Sequence, residues 1–340
     1  MNRTLAQWTG QARWRGAWGW LWLVALTGCR GEQSMLDTHS PTAQAIEGLW
    51  WWMFYGAAAV LVVVMSLAFY AIYRQPERRG AISATKFVLA GGVLLPVAAL
   101  TPLLVFGLGV GYRAYLIDPE ALTVDVIAHR FWWEVRYPGA SPGDTLVTAN
   151  ELRIPAGQQV RVRLHSEDVI HSFWVPSLAG KLDVIPGRVN QLQLQAQTPG
   201  IFRGQCAEFC GALHAHMEFY VIALEPEQFQ RWRQRQARGG RAPEREALKQ
   251  GQQAFMAQGC GDCHRIRGSE AQGSGGPDLT HVASRYSLGL GRTGRITVDD
   301  FENWIVSKEH LLQPQAEMPA YDQLAPEELR SIALYLESLQ

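Results

Sequence analysis

Cysteine is scarce in this chain. There are only five, Cys29, Cys206, Cys210, Cys260 and Cys263, and an odd count argues against a disulfide framework. Net charge is missing too: 31 Lys+Arg meet 31 Asp+Glu. A general nucleic-acid binder needs a basic excess to neutralise phosphates, so no nucleic-acid partner is expected. The third lack is local. Residues 49–73 and 87–112 contain no charged side chain at all. A bilayer core takes ~20 helical residues, so each run is long enough to span it. What the chain has in plenty is tryptophan, thirteen in all. Trp50, Trp51 and Trp52 stand at one end of the first run and Tyr70 and Tyr73 at the other, as an interfacial aromatic belt would. Pro96 and Pro102 inside the second run are tolerated in spanning helices.

The loop between the runs carries Arg74, Arg78, Arg79 and Lys86 against Glu77. The positive-inside rule puts that loop in the cytoplasm and everything after Arg113 outside. The N-terminus agrees with export. Arg3, Arg13 and Arg15 precede a short apolar stretch at 17–26. It ends in Leu26-Thr27-Gly28-Cys29, which resembles a bacterial lipobox, with Cys29 as the lipidated residue. An uncleaved signal anchor with an incidental Cys is the plainer alternative.

From Thr123 the pattern changes to alternation. Val124 and Val126, then Phe131, Trp133 and Val135, then Val160, Val162 and Leu164, then Val189, Leu192 and Leu194 read as strands, with 218–224 closing the set. Pro138-Gly139, Ser141-Pro142-Gly143, Pro155-Ala156-Gly157, Pro186-Gly187 and Pro199-Gly200 mark turns. An antiparallel sandwich or barrel of about a hundred residues is expected. Residues 227–246, rich in Arg, Gln and Gly, read as a linker that can be partly helical. Helical patterns follow at 247–259, 298–307 and 325–339, the last with a stripe of Leu329, Ile332, Ala333, Tyr335 and Leu336. The chain therefore divides into a signal (1–29), a membrane anchor (30–116), an all-β domain (117–226), a linker (227–246) and an all-α domain (247–340).

Two motifs carry chemistry. Cys260-Gly261-Asp262-Cys263-His264 is C-x-x-C-H. Two thiols one helical turn apart can add to the two vinyl groups of a porphyrin, and the adjacent His reaches the iron. A redox dithiol is the alternative. With Gly276-Pro277-Asp278-Leu279 and Met318-Pro319-Ala320-Tyr321 after it, the stretch resembles a small class I cytochrome c domain. That resemblance implies haem c bound covalently by Cys260 and Cys263, with His264 and Met318 as axial ligands. It also implies that the Pro277 carbonyl orients the His264 ring. Met318 is the only Met after the motif, Met256 lies on the wrong side, and His281 and His310 are more simply packing or surface residues. A Met/His pair leaves no open site and suits electron transfer.

The second motif spans Cys206 to Met217 and includes Cys210, His214 and His216. Thiolate, thioether and imidazole together suit copper; two Cys and two His could instead make a zinc site. The spacing resembles the binuclear copper-A loop of cytochrome c oxidase subunit II, C-x-E-x-C-x-x-x-H-x-x-M. So does the block His171-Ser172-Phe173-Trp174-Val175-Pro176-Ser177-Leu178, followed by Lys181-Leu182-Asp183-Val184-Ile185-Pro186-Gly187-Arg188. This resemblance implies a cupredoxin-like Greek-key sandwich behind a two-helix transmembrane hairpin. It implies Cys206 and Cys210 bridging two coppers, His171 and His214 capping them, and Met217 and the Glu208 carbonyl as weaker ligands. The Glu208 side chain would face a magnesium ion shared with subunit I, and His216 has no ligand role. Two departures stand out. Phe131 of Phe131-Trp132-Trp133 occupies the place where the family usually has the Trp at which cytochrome c docks. Lys86-Phe87-Val88 lacks the acidic residue that many members carry near the second span.

The expected function is subunit II of a caa-type haem–copper oxygen reductase in a bacterial inner membrane. Its partners would be the catalytic subunit I, further oxidase subunits, and cytochrome c or an upstream complex as donor. Oxygen chemistry and proton pumping would reside in the catalytic subunit. The alternatives are the copper-A subunit of a nitric oxide reductase and a copper storage or assembly module. A quinol-oxidase subunit is disfavoured because those lack the copper ligands.

Overall fold

The computed structural model describes residues 31–75, 83–114, 116, 118–139, 144–289, 292–307, 318–319 and 321–340. The signal with Cys29, the loop residues Glu77, Arg78 and Arg79, the Ser141-Pro142-Gly143 turn, His310 and Ala320 lie outside the described residues.

Among the described residues, two helices are long and apolar enough to cross a membrane. The first, α1 (Pro41–Tyr73), begins eight residues before the uncharged run. Its start is set by Ser40, whose side chain accepts the Ala43 N–H at 2.9 Å, with Pro41 at the first helical position. The second, α2, opens as Ala84–Leu89, widens to a π turn over Ala90–Leu94 and resumes as Leu95–Ala114. Pro96 follows directly and has no N–H for the Gly92 carbonyl, a common cause of such irregularity.

The all-β domain is a sandwich of two five-stranded sheets. One holds β1 (Leu122–His129), β2 (Trp132–Pro138), β3 (Thr145–Ala149), β5 (Val160–Ser166) and β8 (Asn190–Leu194) in the order β3-β2-β1-β5-β8. The other holds β4 (Glu151–Pro155), β6 (His171–Trp174), β7 (Leu182–Val184), β9 (Gly200–Cys206) and β10 (Glu218–Leu224) in the order β4-β10-β9-β6-β7. Alternating side chains such as Val124, Val126, Trp133, Val135, Val160 and Val162 meet in the core between them. The sheets are mixed rather than antiparallel throughout, because β1 pairs with β5 and β4 with β10 in parallel. Period-two alternation fixes which face is buried and says nothing of strand direction, so these pairs escaped the sequence reading. The sandwich sits on the start of α1. His39 N–H donates to the Ser177 carbonyl at 2.8 Å, Gln197 N–H to the His39 carbonyl at 3.0 Å, and the Ser40 hydroxyl to the Leu178 carbonyl.

The segment expected to be a linker starts as helix α3 (Pro226–Gln236). Phe229 and Trp232 are buried in the sandwich core, and the Trp232 ring lies 5.1 Å from Tyr137, edge to face. Two apolar residues three apart anchor a helix whose other positions are mostly Arg and Gln, which is why composition alone suggested a linker. The helical domain packs α4 (Glu246–Ala257) against α7 (Pro326–Glu337), with α5 (Cys260–Cys263) and α6 (Val298–Ile305) completing it. Gly251 makes the α4–α7 crossing possible, since a Cβ there would stand 2.1 Å from the Ser331 carbonyl oxygen. A short hairpin, β11 (Ser287–Gly289) and β12 (Arg292–Thr293), faces the sandwich.

Candidate functional site

The end of β9, the loop after it and the start of β6 bring six donor atoms together. Cys206 Sγ lies 3.9 Å from Cys210 Sγ, 3.8 Å from His171 Nδ1 and 3.2 Å from the Glu208 carbonyl oxygen. Cys210 Sγ lies 3.7 Å from His214 Nδ1 and 3.8 Å from Met217 Sδ. His171, Cys206, Cys210 and Met217 are buried. The ligating atoms of His171, Cys206 and Cys210 all lie within 4.8 Å of one another. The electrostatics ask for a cation. The Cys210 thiol beside it, with His171 and the nearby backbone, holds Cys206 well below the usual thiol range. That thiolate then pushes Cys210 far above it. Two sulfurs this close carry full charge together only around metal, so the donor set fits soft metal ions. Thiolate, imidazole and thioether converge with a backbone carbonyl, and the thioether is the donor that zinc does not need.

One residue of this site was missed. Asp168 Oδ1 lies 2.7 Å from His171 Nε2, while its carboxylate also accepts the backbone N–H groups of Val169 at 2.6 Å and Arg130 at 2.7 Å. These contacts outweigh burial and hold its carboxyl below the ordinary range. They leave the His171 proton on Nε2 and the lone pair of Nδ1 toward the sulfurs. The Asp-x-x-His spacing was the signal that could have found it. Trp133 is fully buried behind the site, its ring 6.0 Å from His171 and its indole N–H directed at the Met217 carbonyl, 3.5 Å away. The Glu208 side chain is exposed on the outer rim beside Phe209, which is 77% exposed.

A second site lies in the helical domain. Cys260, Cys263, His264, Met318 and Tyr321 line a largely apolar cavity of about 590 Å³. His264 Nδ1 sits 2.9 Å from the Pro277 carbonyl, the contact the sequence implied. Nδ1 therefore carries the proton and Nε2 the free lone pair. Burial depresses the His264 pKa, which keeps the ring neutral and able to ligate. Gly276 passes against the ring, where a Cβ would lie 2.7 Å from Cε1. Two thiols at the mouth of an apolar slot, with an oriented neutral imidazole and a thioether on its lining, fit a covalently held haem. Met256 instead packs its sulfur against Gly261, and His281 is tied by both ring nitrogens to the carbonyls of Gln340 and Arg238, each at 3.0 Å.

The two sites share a wall. Arg130, Phe131, Trp132, Asn150, Leu213 and His216 of the sandwich also line the haem-sized cavity. Trp132 stacks on His129 with ring centres 4.4 Å apart. Of the three aromatics in this series, Phe131 and Trp132 face the cavity and Trp133 faces the metal donors.

Comparison with known proteins accords with both halves. The family described as "Cytochrome C oxidase subunit II, periplasmic domain" matches residues 122–224, and the cytochrome c family matches residues 248–340. The chain is 31% identical over 331 residues to cytochrome c oxidase subunit 2 of Alkalihalophilus pseudofirmus, covering 93% of this chain and 94% of that one. The chain belongs to the cytochrome c oxidase subunit II family. Subunit 2 of Bacillus subtilis is 28% identical over 231 residues, covering 65% of this chain and 63% of the relative. Among solved structures, the periplasmic domain of subunit II (CoxB) of Bradyrhizobium japonicum matches at 31% identity and a TM-score of 0.32, covering 34% of this chain and 94% of that one. As a subunit II, the chain is one part of a cytochrome c oxidase and works with other oxidase subunits. Its family implies copper A and haem c as cofactors. Two apolar helices and a periplasmic-type domain fit an inner-membrane protein with its sandwich outside.

Proposed function

We propose that this chain is the subunit at which electrons enter a respiratory oxygen reductase, passing from haem c to a binuclear copper centre and on to the catalytic subunit. Each centre, when bound, supplies a reversible one-electron site. Cys260 and Cys263 would hold the haem covalently, with His264 and Met318 as axial ligands. Cys206 and Cys210 would bridge the coppers, with His171, His214, Met217 and the Glu208 carbonyl around them. The Glu208 carboxylate would face a magnesium ion at the border with the catalytic subunit, where oxygen is reduced to water and protons are pumped. Cys29 would carry a lipid.

The observation that carries this reading is the paired sulfur cluster, Cys206 to Cys210 at 3.9 Å, beside a C-x-x-C-H cavity in one chain. The chain's own residues keep the copper donors in register. Asp168 fixes the His171 tautomer, and Trp133 closes the site from behind. In the purified complex, Cys210→Ser should abolish oxygen uptake driven by reduced cytochrome c and leave the haem c spectrum intact. An active Cys210→Ser complex sinks the copper assignment. Uptake of nitric oxide in place of oxygen by the wild type would instead favour a nitric oxide reductase.

A further inference from the structure

Glu151, on β4, is 1% exposed, and its two carboxylate oxygens face different domains. Oε2 accepts from Arg153 of the same strand, at 2.9 Å from Nη2 and 3.2 Å from Nε. Oε1 accepts the backbone N–H groups of Tyr286 and of Ser287, the latter at 3.3 Å, both in the cytochrome domain. Arg153 also crosses the boundary, since its Nη2 donates to the Ser284 carbonyl at 2.9 Å. Above them the Tyr220 and Tyr286 rings meet edge to face at 5.1 Å. A buried carboxylate is costly unless every oxygen is partnered. Here half the partners belong to the other domain, so the charge is satisfied only when the two domains are together.

The gripped segment matters because of where it leads. Ser287 opens β11, and the next residues, Leu288 and Gly289, line the haem-sized cavity, sharing it with Arg130, Phe131 and Trp132 of the sandwich. We infer that Glu151 is a positioning residue: it latches the cytochrome domain so that the haem cavity stays against the 130–132 wall, and so sets the rate of electron transfer to copper. The step is a single outer-sphere transfer. One electron leaves the reduced haem and is taken up by the oxidised copper centre, with no bond made or broken and no proton moved. This inference rests on the relay proposed above.

The test uses the full-length subunit in the assembled oxidase, with Glu151→Ala and Glu151→Gln. Two quantities are read: hydrogen exchange at the Tyr286 and Ser287 amides, and the rate of haem c reoxidation after one electron is injected by a photoexcited ruthenium reductant. Glu151→Ala should speed exchange at both amides roughly tenfold or more, as expected when a buried charged acceptor is lost, and slow the transfer. Glu151→Gln keeps an Oε1 acceptor and should fall between. Haem and copper spectra should match the wild type in both. Wild-type exchange and wild-type transfer in Glu151→Ala overturn the latch. If Glu151→Ala does not fold, wild-type values of both quantities in Glu151→Gln and Arg153→Lys overturn it instead. A wild-type chain that passes no electron from haem to copper refutes the relay, and the amide exchange still decides the latch.

Discussion

Removing the Asp168 carboxylate should loosen copper without touching a copper donor. The carboxylate meets His171 Nε2 at 2.7 Å, the Val169 N–H at 2.6 Å and the Arg130 N–H at 2.7 Å. In Asp168→Ala the His171 ring loses its carboxylate partner on the side away from the sulfurs, and two backbone donors lose theirs. Outer hydrogen bonds to a ligating His are typically worth 10–100-fold in metal affinity, or about 1.4–2.7 kcal/mol. The two amides add a cost to the fold of about 1–3 kcal/mol each where water cannot replace the acceptor. Asp168→Asn offers one oxygen. Turned to the Oδ1 position it keeps His171 and Val169 and presents its NH₂ group to the Arg130 amide. The expected order of copper affinity is therefore Asp168, then Asn, then Ala. Competition with a graded copper chelator, followed by the paramagnetic resonance of the copper centre, measures it. Wild-type affinity in Asp168→Ala, or weaker binding in Asp168→Asn than in Asp168→Ala, would refute the reasoning.

Other outcomes follow from single contacts. Gly276→Ala places a Cβ 2.7 Å from His264 Cε1, so the ring should leave the Pro277 carbonyl and the Met-to-iron charge-transfer band should weaken. Ser40→Ala removes the cap on the Ala43 N–H and the bond to the Leu178 carbonyl; a loss of about 1 kcal/mol should appear in thermal melting of the detergent-solubilised chain. Asp125 is bonded to Arg163 and His165, and these outweigh the effect of burial to hold its carboxyl below the ordinary carboxylate range. A carboxyl with a lowered native pKa stabilises the fold above its unfolded pKa and loses that stabilisation as pH falls through the native one. Asp125→Asn should therefore lower stability at neutral pH, by a small amount because Arg163 is partly exposed, and flatten the acid limb of a stability–pH curve below about pH 4.

The residues of the two candidate sites stood out in the sequence because the chemistry proposed for them fixes local spacing. Cys206, Cys210, His214 and Met217 lie on one loop, and Cys260, Cys263 and His264 on one turn. His171 came from a separate block and the fold carries it to the same point through the β6–β9 pairing of Phe173 with Cys206. What stayed hidden depends on partners distant in sequence. Asp168 and Arg130 meet across 38 residues, and Glu151 and Tyr286 across 135. Both use a backbone N–H, which no side-chain pattern can announce. Helix α3 hid because its apolar burial rests on Phe229 and Trp232, and the parallel pairs hid because alternation has no direction.

The seat of the sandwich on α1 fixes its height as well as its attachment. Between Pro41 at the helix start and Leu49, where the uncharged run begins, lie eight residues of unbroken helix. At 1.5 Å of rise each, they make a pillar of about 12 Å. The Ser40, His39 and Ser177 contacts clamp the domain to the top of that pillar. One residue inserted there would lift the copper loop by about 1.5 Å and swing it by about 100° around the helix axis. A length change that is not a whole number of turns would therefore turn the exposed Glu208–Phe209 rim to a different side of the helix.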